Sequence, residues 1–174
     1  MRLTKNFSKI FKIAKLLREP RVIHEMNHPP YLFTRVHSEW YTFTSQGKQR
    51  IEKGVSFTAT DIAGLYNIGF GDVLTDGGID DMATSNNGDI VKVMATVVQI
   101  LRAFTAEFPA VKVIFVGSTE ERTRLYRRIL RTYYNNFSEE FIITGSILQG
   151  NAYVEIPFDP AATIEYHAFF IKRI

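Results

Sequence analysis

The segment from residue 111 to residue 134 places the strongest constraint on the fold. Its first part, Val111–Val116, has apolar side chains at both odd and even positions, so both faces of a strand here would be buried. Such a strand is expected in the interior of a sheet. A Gly-Ser-Thr turn follows, and then a helix with five arginines begins. We expect Ser118 to cap this helix through a capping box with Glu121.

Apolar alternation predicts further strands on both sides of this segment, and apolar residues at helical spacing predict one more helix. A hairpin is predicted from Trp40–Ser45 and Lys48–Thr58, a third strand from Leu65–Phe70, and three more strands from 141–148, 152–158 and 164–171. Residues 89–107 have the spacing of a core helix and stop before Pro109. Together these elements predict an α+β fold, in which two core helices pack on a mostly antiparallel sheet.

The chain is predicted to divide into a basic amphipathic N-terminal arm, residues 1–30, and a single α+β domain, residues 31–174. Residues 1–21 hold seven basic residues and one acidic residue, a net charge of +6, whereas the remaining residues carry −3 and the whole chain +3. Apolar residues at helical spacing predict an amphipathic helix in the arm. This helix could dock on the domain, or it could contact an anionic membrane surface or phosphates.

The arm also contains the sequence His-Glu-Met-Asn-His, which matches a zinc-protease signature at His24, Glu25 and His28. That chemistry needs both histidines on one face of a helix, with the glutamate activating a zinc-bound water. Prolines at positions 20, 29 and 30 leave room for only about two helical turns. We therefore expect neither zinc nor another cofactor, and the segment remains a weak candidate for a metal site.

The predicted loop Gly71–Gly88 is expected to be solvated and to contain Asx-turns, although its aspartates could instead ligate Mg²⁺ or Ca²⁺. Polar residues around this loop form the candidate for a ligand pocket. Arg122 falls in the middle of the apolar face of the arginine helix, where an unpaired guanidinium would be costly. It is expected to form a salt bridge with an acidic residue of the 72–89 segment, or to face a ligand. The candidate pocket residues are Asn67, Asp72, Asp80, Asp81, Arg122 and Arg124.

The other arginines of this helix lie opposite its apolar face and are predicted to face water. They form either a solvated surface or a strip that contacts phosphate groups. The candidate anion contacts, beside Arg124, are Arg127, Arg128 and Arg131.

The composition excludes several classes of protein. The chain has no cysteine, which excludes disulfides, thiolate metal sites and thiol nucleophiles. No apolar run approaches the roughly 18 to 20 residues of a membrane span, and the N-terminus lacks the continuous apolar core of a signal peptide. We therefore expect a cytoplasmic protein.

Three segments of the domain read as specific motifs: YNIGFGD at 66–72, IDDMATSNNGD at 79–89 and VGSTEERTRLYRR at 116–128. They resemble a family of small bacterial proteins that is known only as a domain of unknown function. The resemblance covers about Trp40 to Lys172 and leaves out the arm. It implies a bacterial, cytoplasmic protein, and it implies no activity, substrate or catalytic residue.

Two functions remain open for this sequence. The first is a non-enzymatic binding or interaction module, which uses the arm or the arginine helix against an anionic partner such as a nucleic acid or a protein. The alternative is an enzyme, with the polar Asp/Asn/Arg pocket as its site or, with less support, a zinc hydrolase at the His-Glu-Met-Asn-His segment. The direction of Arg122 separates the two, because an open pocket favours the enzyme and a closed salt bridge favours the module.

Overall fold

The computed structural model describes residues 28–81 and 86–174. The amphipathic helix predicted for the arm, together with His24 and Glu25, lies outside the described residues. Within the described ranges, no helix is both long enough and apolar enough to cross a membrane.

The described residues form nine strands and three helices. The strands are β1 Phe33–His37, β2 Trp40–Gln46, β3 Arg50–Ala59, β4 Leu65–Val73, β5 Ile79–Asp80, β6 Lys112–Phe115, β7 Phe141–Gln149, β8 Ala152–Pro157 and β9 Ala168–Arg173. The helices are α1 Ile90–Glu107, α2 Glu120–Thr132 and α3 Tyr134–Ser138.

All nine strands belong to one sheet in the order β1-β2-β3-β4-β6-β9-β7-β8, and β5 pairs with β4. The pairing of β4 with β6 is parallel, and the other pairings between the described strands are antiparallel. The predicted α+β fold with a mostly antiparallel sheet is therefore confirmed. β6 lies between β4 and β9 with Val113 fully buried, which confirms the predicted interior strand.

The predicted hairpin is formed by β2 and β3, whose residues pair in antiparallel register. Tyr41 and Phe43 of β2 lie on the same face as Val55 and Phe57 of β3, and all four side chains are buried. The alternation of apolar side chains thus determines which face of the sheet the helices cover.

α1 packs on this covered face, as predicted for a core helix. Phe104 of α1 is fully buried, and its ring stacks on Phe57 with the two centroids 3.8 Å apart. At the end of the same helix Glu107 pairs with Arg35 of β1. α2 is more peripheral than predicted, because Leu130 is its one buried residue.

The predicted loop from Gly71 to Gly88 is partly strand in the structure. β4 continues to Val73, and β5 returns along it so that Asp80 lies opposite Asp72. Gly71 permits this close approach, because a Cβ atom there would lie 2.1 Å from the backbone oxygen of Asp80. Glycine is a weak strand former, so the sequence around Gly71 predicted a loop. The pairing of β4 with β5 nevertheless requires a glycine at this position.

Candidate functional site

A cavity of about 640 Å³ lies between the sheet, the start of α1 and one side of α2. Its lining comes from β3 and β4, from residues 86–90, and from α2 with the residue before it. Each of the motifs at 66–72, 79–89 and 116–128 contributes side chains to this lining. Segments far apart in the sequence therefore meet at one concave site, as they commonly do in small-molecule pockets.

The sheet side of the cavity contains a buried ion pair. Lys53 of β3 lies directly opposite Asp72 of β4, and its ammonium group contacts the Asp72 carboxylate. The Lys53 side chain is only 6 % exposed, against 22 % for Asp72. A charge buried to this degree must be paired, so the two residues depend on each other energetically.

Asp89 supplies a second carboxylate beside this pair, at the residue before α1. Its Oδ2 accepts hydrogen bonds from the Tyr31 hydroxyl at 2.7 Å and from the Ser45 hydroxyl at 2.6 Å. Burial alone raises the pKa of Asp89, but these hydrogen bonds and the charge of Lys53 outweigh it and lower the pKa below its ordinary value. Asp89 is therefore ionised at neutral pH. Lys53, Asp72 and Asp89 together are called the cavity floor below.

Asn87 fixes the 86–89 segment to the β2–β3 turn. Its side-chain amide donates to the Ser45 hydroxyl at 2.7 Å and to the Gln49 carbonyl at 2.9 Å, and its Oδ1 accepts from the Gln49 backbone N–H. Gly47 makes the contact possible, because a Cβ atom there would lie 1.9 Å from the Asn87 backbone oxygen. The wall that carries Asp89 is thus anchored to the hairpin by specific hydrogen bonds.

α2 forms the other side of the cavity, and its cap differs from the prediction. The Thr119 hydroxyl, rather than that of Ser118, accepts a hydrogen bond from the Arg122 N–H at 3.3 Å. Ser118 instead donates its hydroxyl proton to the Asp81 carbonyl at 2.9 Å. The N-cap of α2 is therefore one residue later than predicted. The sequence did not decide between the two positions, because serine and threonine both cap helices well.

Arg122 lies on the inner side of α2 and lines the cavity. It is half-buried rather than exposed, and its Nη1 donates to the Phe70 carbonyl at 3.0 Å. Burial raises the pKa of the Tyr126 hydroxyl, and the charge of Arg122 with its hydrogen bond to Tyr126 acts in the opposite direction. These contacts hold the guanidinium in place at the cavity. The salt bridge with an acidic residue of the 72–89 segment stays a prediction.

Of the other predicted pocket residues, only Asp72 lines the cavity within the described part of the chain. Asn67 lies on the opposite face of the sheet, because residues of β4 alternate and positions 67 and 72 differ by an odd number. Asp80 lies opposite Asp72 in the register of β4 and β5, and it is not among the described residues that line the cavity. Asp81 is exposed and contributes its backbone oxygen to Ser118.

The four arginines predicted to face water divide into three environments. Arg124 forms an exposed ion pair with Glu120 at 2.8 Å. Arg127 is half-buried, contrary to the prediction, because it donates to the Ala162 carbonyl at 3.3 Å and the segment after β8 covers it. Arg128 and Arg131 are exposed as predicted, and Arg128 lines the cavity. Arg122 and Arg128 are called the arginine wall below.

The zinc segment is tested only at one residue, since His24 and Glu25 lie outside the described chain. His28 is exposed. In residues 28–81 and 86–174, no group of three or more His, Asp or Glu side chains is placed to hold a metal ion. The expectation of no zinc stays a prediction.

Sequence reasoning missed three of the polar lining residues, Lys53, Asn87 and Asp89. One signal was present, because Lys53 stands at an inward position of its strand, between Ile51 and Val55. A lysine at such a position indicates a buried partner or a functional site. The role of Asp89 had no comparable signal, since its partner Tyr31 lies 58 residues away.

The chain belongs to a family of unknown function, DUF6934, whose family model matches residues 27–174. The match covers the whole described domain and leaves out nearly all of the arm. It confirms the resemblance to a domain of unknown function. No curated protein and no solved structure matches the chain.

Proposed function

We propose that this protein is a non-enzymatic binding module whose cavity takes a small organic anion. The observation that carries the proposal is the arginine wall, since Arg122 and Arg128 both line one concave site. The volume of about 640 Å³ falls within the range of roughly 300 to 1,000 Å³ that is typical of small-molecule sites.

The contacts of Arg122 support this proposal. A guanidinium presents its N–H groups in a planar fork that matches a carboxylate or a phosphate. The hydrogen bonds of Arg122 to the Phe70 carbonyl and to Tyr126 fix its position before any ligand arrives. Less side-chain entropy is then lost on binding, which favours affinity.

The remaining lining suits the body of an organic molecule. Phe70, Ile90, Val93, Leu125 and Tyr126 contribute apolar surface to the same cavity. Ligand pockets commonly combine such a lining with a small number of charged groups that orient the ligand. An anion with a hydrocarbon or aromatic portion therefore fits better than an inorganic anion.

A macromolecular anion has less support on α2. Arg124 pairs with Glu120, and Arg127 donates to Ala162, so two members of the predicted phosphate strip already have partners within the domain. Binding of a nucleic acid or an acidic protein through residues 1–21 remains a separate proposal, which rests on their charge of +6.

An enzyme is the second candidate, and the cavity floor favours it. A buried lysine lies there beside two carboxylates, Asp72 and Asp89. Such groups can act as general acids or bases when they reach a bound substrate. The two candidates differ in the fate of the ligand, because a binding module returns it unchanged and an enzyme does not.

Titration calorimetry with 4-phenylbutyrate and with 4-phenylbutanol tests the proposed module. The two compounds share a skeleton and differ in the anionic group. We expect the acid to bind and the alcohol to bind at least ten-fold more weakly. Arg128→Gln should weaken binding of the acid about ten-fold, or about 1.4 kcal/mol. Mass spectrometry of the recovered acid should show no conversion.

Arg131→Gln is the matched control, because Arg131 is exposed on the same helix and lies outside the described lining. It should leave binding of the acid unchanged. Equal binding of acid and alcohol, or an unaffected Arg128→Gln variant, would contradict the proposal. An equal loss in both arginine variants would move the contact to the helix surface.

A further inference from the structure

The two sides of the cavity carry net charges of opposite sign. On α2, the lining residues Arg122, Arg128 and Glu121 carry a formal charge of +1. On the cavity floor, Lys53, Asp72 and Asp89 carry −1. A ligand with a single charge can pair with only one side of this cavity. The charge of the opposite side then has no partner on the ligand.

Of the two carboxylates of the floor, Asp89 is the one at the start of α1. Lys53 makes its contact with Asp72. The hydroxyls of Tyr31 and Ser45, both neutral, donate hydrogen bonds to the Asp89 carboxylate, and Lys53 acts on it through its charge. Hydroxyls stabilise a carboxylate without cancelling its charge, and one lysine cannot balance two carboxylates, so the floor still attracts a cation.

The sheet geometry sets the separation between the two charged sides. Arg122 is anchored to Phe70 on β4, and Asp89 is anchored to Ser45 on β2, with β3 between them. Phe70 and Ser45 pair with Val55 and Ile51, which are four positions apart on β3. Strand spacing and rise per residue place the two anchors on the order of 15 Å apart.

A ligand must bridge that separation after its hydrogen bonds are subtracted. Each hydrogen bond accounts for roughly 3 Å of it. The charged groups of a single α-amino acid are attached to the same carbon, so they are too close together. A peptide backbone extends by roughly 3.3 to 3.6 Å per residue, so two or three residues span the remainder.

We propose, on the basis of the anion site proposed above, that the cavity takes short peptides of two or three residues. The terminal carboxylate binds the arginine wall, and the terminal ammonium group binds Asp89. Apolar side chains of the peptide pack on Phe70, Leu125 and Tyr126, which line the same cavity. The ligand is thus a zwitterion with separated charges rather than a simple anion.

Titration calorimetry with one dipeptide and its capped forms tests this inference. The probes are Leu-Phe, N-acetyl-Leu-Phe, Leu-Phe amide and leucine. We expect Leu-Phe to bind at least ten-fold more tightly than each of the other three. Asp89→Asn should bring Leu-Phe to the level of N-acetyl-Leu-Phe and leave the acetylated peptide unchanged. Asp76→Asn, in an exposed turn outside the described lining, is the matched control.

The outcomes distinguish this inference from the proposed anion site. If N-acetyl-Leu-Phe binds as tightly as Leu-Phe, the ammonium site is wrong and the anion site stands. If leucine binds as tightly as Leu-Phe, the charge separation is wrong. If Leu-Phe amide binds as tightly as Leu-Phe, the anion site itself is wrong.

If 4-phenylbutyrate binds and no peptide does, only the peptide inference fails. If neither 4-phenylbutyrate nor any peptide binds, both the anion site and the peptide inference fail. Circular dichroism shows whether the Asp89→Asn variant is folded. If it is not, the affinities of the four probes for the unaltered protein still test the inference.

Discussion

The helices α1 and α2 are embedded to very different degrees. Ten of the 18 residues of α1 are buried, whereas Leu130 is the one buried residue among the 13 of α2. α1 therefore holds the core together, and α2 adds half-buried side chains at its border. The helix that contributes less to the core contributes more of the cavity lining.

The two helices also begin in different ways. The Asp89 carboxylate, at the residue before α1, accepts hydrogen bonds from Tyr31 and Ser45, which belong to other parts of the chain. The Thr119 hydroxyl, at the residue before α2, accepts from Arg122 within the same helix. The start of α1 is thus fixed by tertiary contacts, and the start of α2 by a local one.

The largest expected effect is a difference in stability between truncations in the two helices. Phe104→Ala should lower the free energy of unfolding by about 4 kcal/mol, because it removes a fully buried ring that stacks on Phe57. Leu125→Ala on α2 should cost about 1 kcal/mol, because Leu125 is half-buried at the cavity. Urea denaturation of both variants measures these values. Equal losses would show that α2 belongs to the core after all.

A second prediction concerns the pH dependence that Asp89 gives to the tertiary start of α1. Its pKa is lower in the folded protein than the ordinary value of 3.8, so ionised Asp89 stabilises the fold above that pH. This stabilisation is lost as the pH falls below about 4 and through the folded-state pKa. Asp89→Asn should cost about 1.5 kcal/mol at pH 7 and less at pH 3.

Urea titrations of the unaltered protein and of Asp89→Asn at pH 7 and pH 3 provide the test. Other carboxylates titrate in both proteins, so the difference between the two isolates Asp89. A difference that stays constant between the two pH values would mean that the charge of Asp89 does not matter for stability.

The smallest expected effect separates the two possible caps of α2. Thr119→Ala should lower the free energy of unfolding by about 1 kcal/mol, because it removes the hydrogen bond to Arg122 N–H. Ser118→Ala should cost less than about 0.5 kcal/mol, because Ser118 is exposed and makes no cap. The same urea assay compares them. A larger loss for Ser118→Ala would restore the capping box predicted from the sequence.

The elements that were predicted correctly are those whose pattern is local. The hairpin and α1 follow from alternation and from helical spacing within one segment. β9 shows where such reasoning ends, since a strand was predicted from Ile164 and the structure begins it at Ala168. Tyr166 packs instead against Gly145, where a Cβ atom would lie 2.3 Å from its ring. That contact depends on tertiary packing and leaves no trace in the local pattern.

The candidate site was predictable only in part, because it assembles from distant segments. The position of Arg122 on the inner side of α2 was predicted from the spacing of apolar residues along the helix alone. Asn67 was assigned to the pocket wrongly, although strand alternation already separates it from Asp72. Asp89 and Lys53 meet through the sheet and the 86–89 segment, and no spacing in the sequence encodes that meeting. The sequence predicts which face of its own helix or strand a side chain occupies. It does not predict which side chains of different elements meet in the cavity.

Two backbone amides in the exposed β2–β3 turn depend on the cavity wall for their hydrogen bonds. Lys48 donates to the Asn87 carbonyl at 2.9 Å, and Gln49 donates to the Asn87 side chain at 2.8 Å. We expect each amide proton to exchange with deuterated water only when residues 86–89 move away from the turn. Deuterium uptake at these two positions therefore counts how often the wall that carries Asp89 detaches, in the unaltered protein and without any added compound.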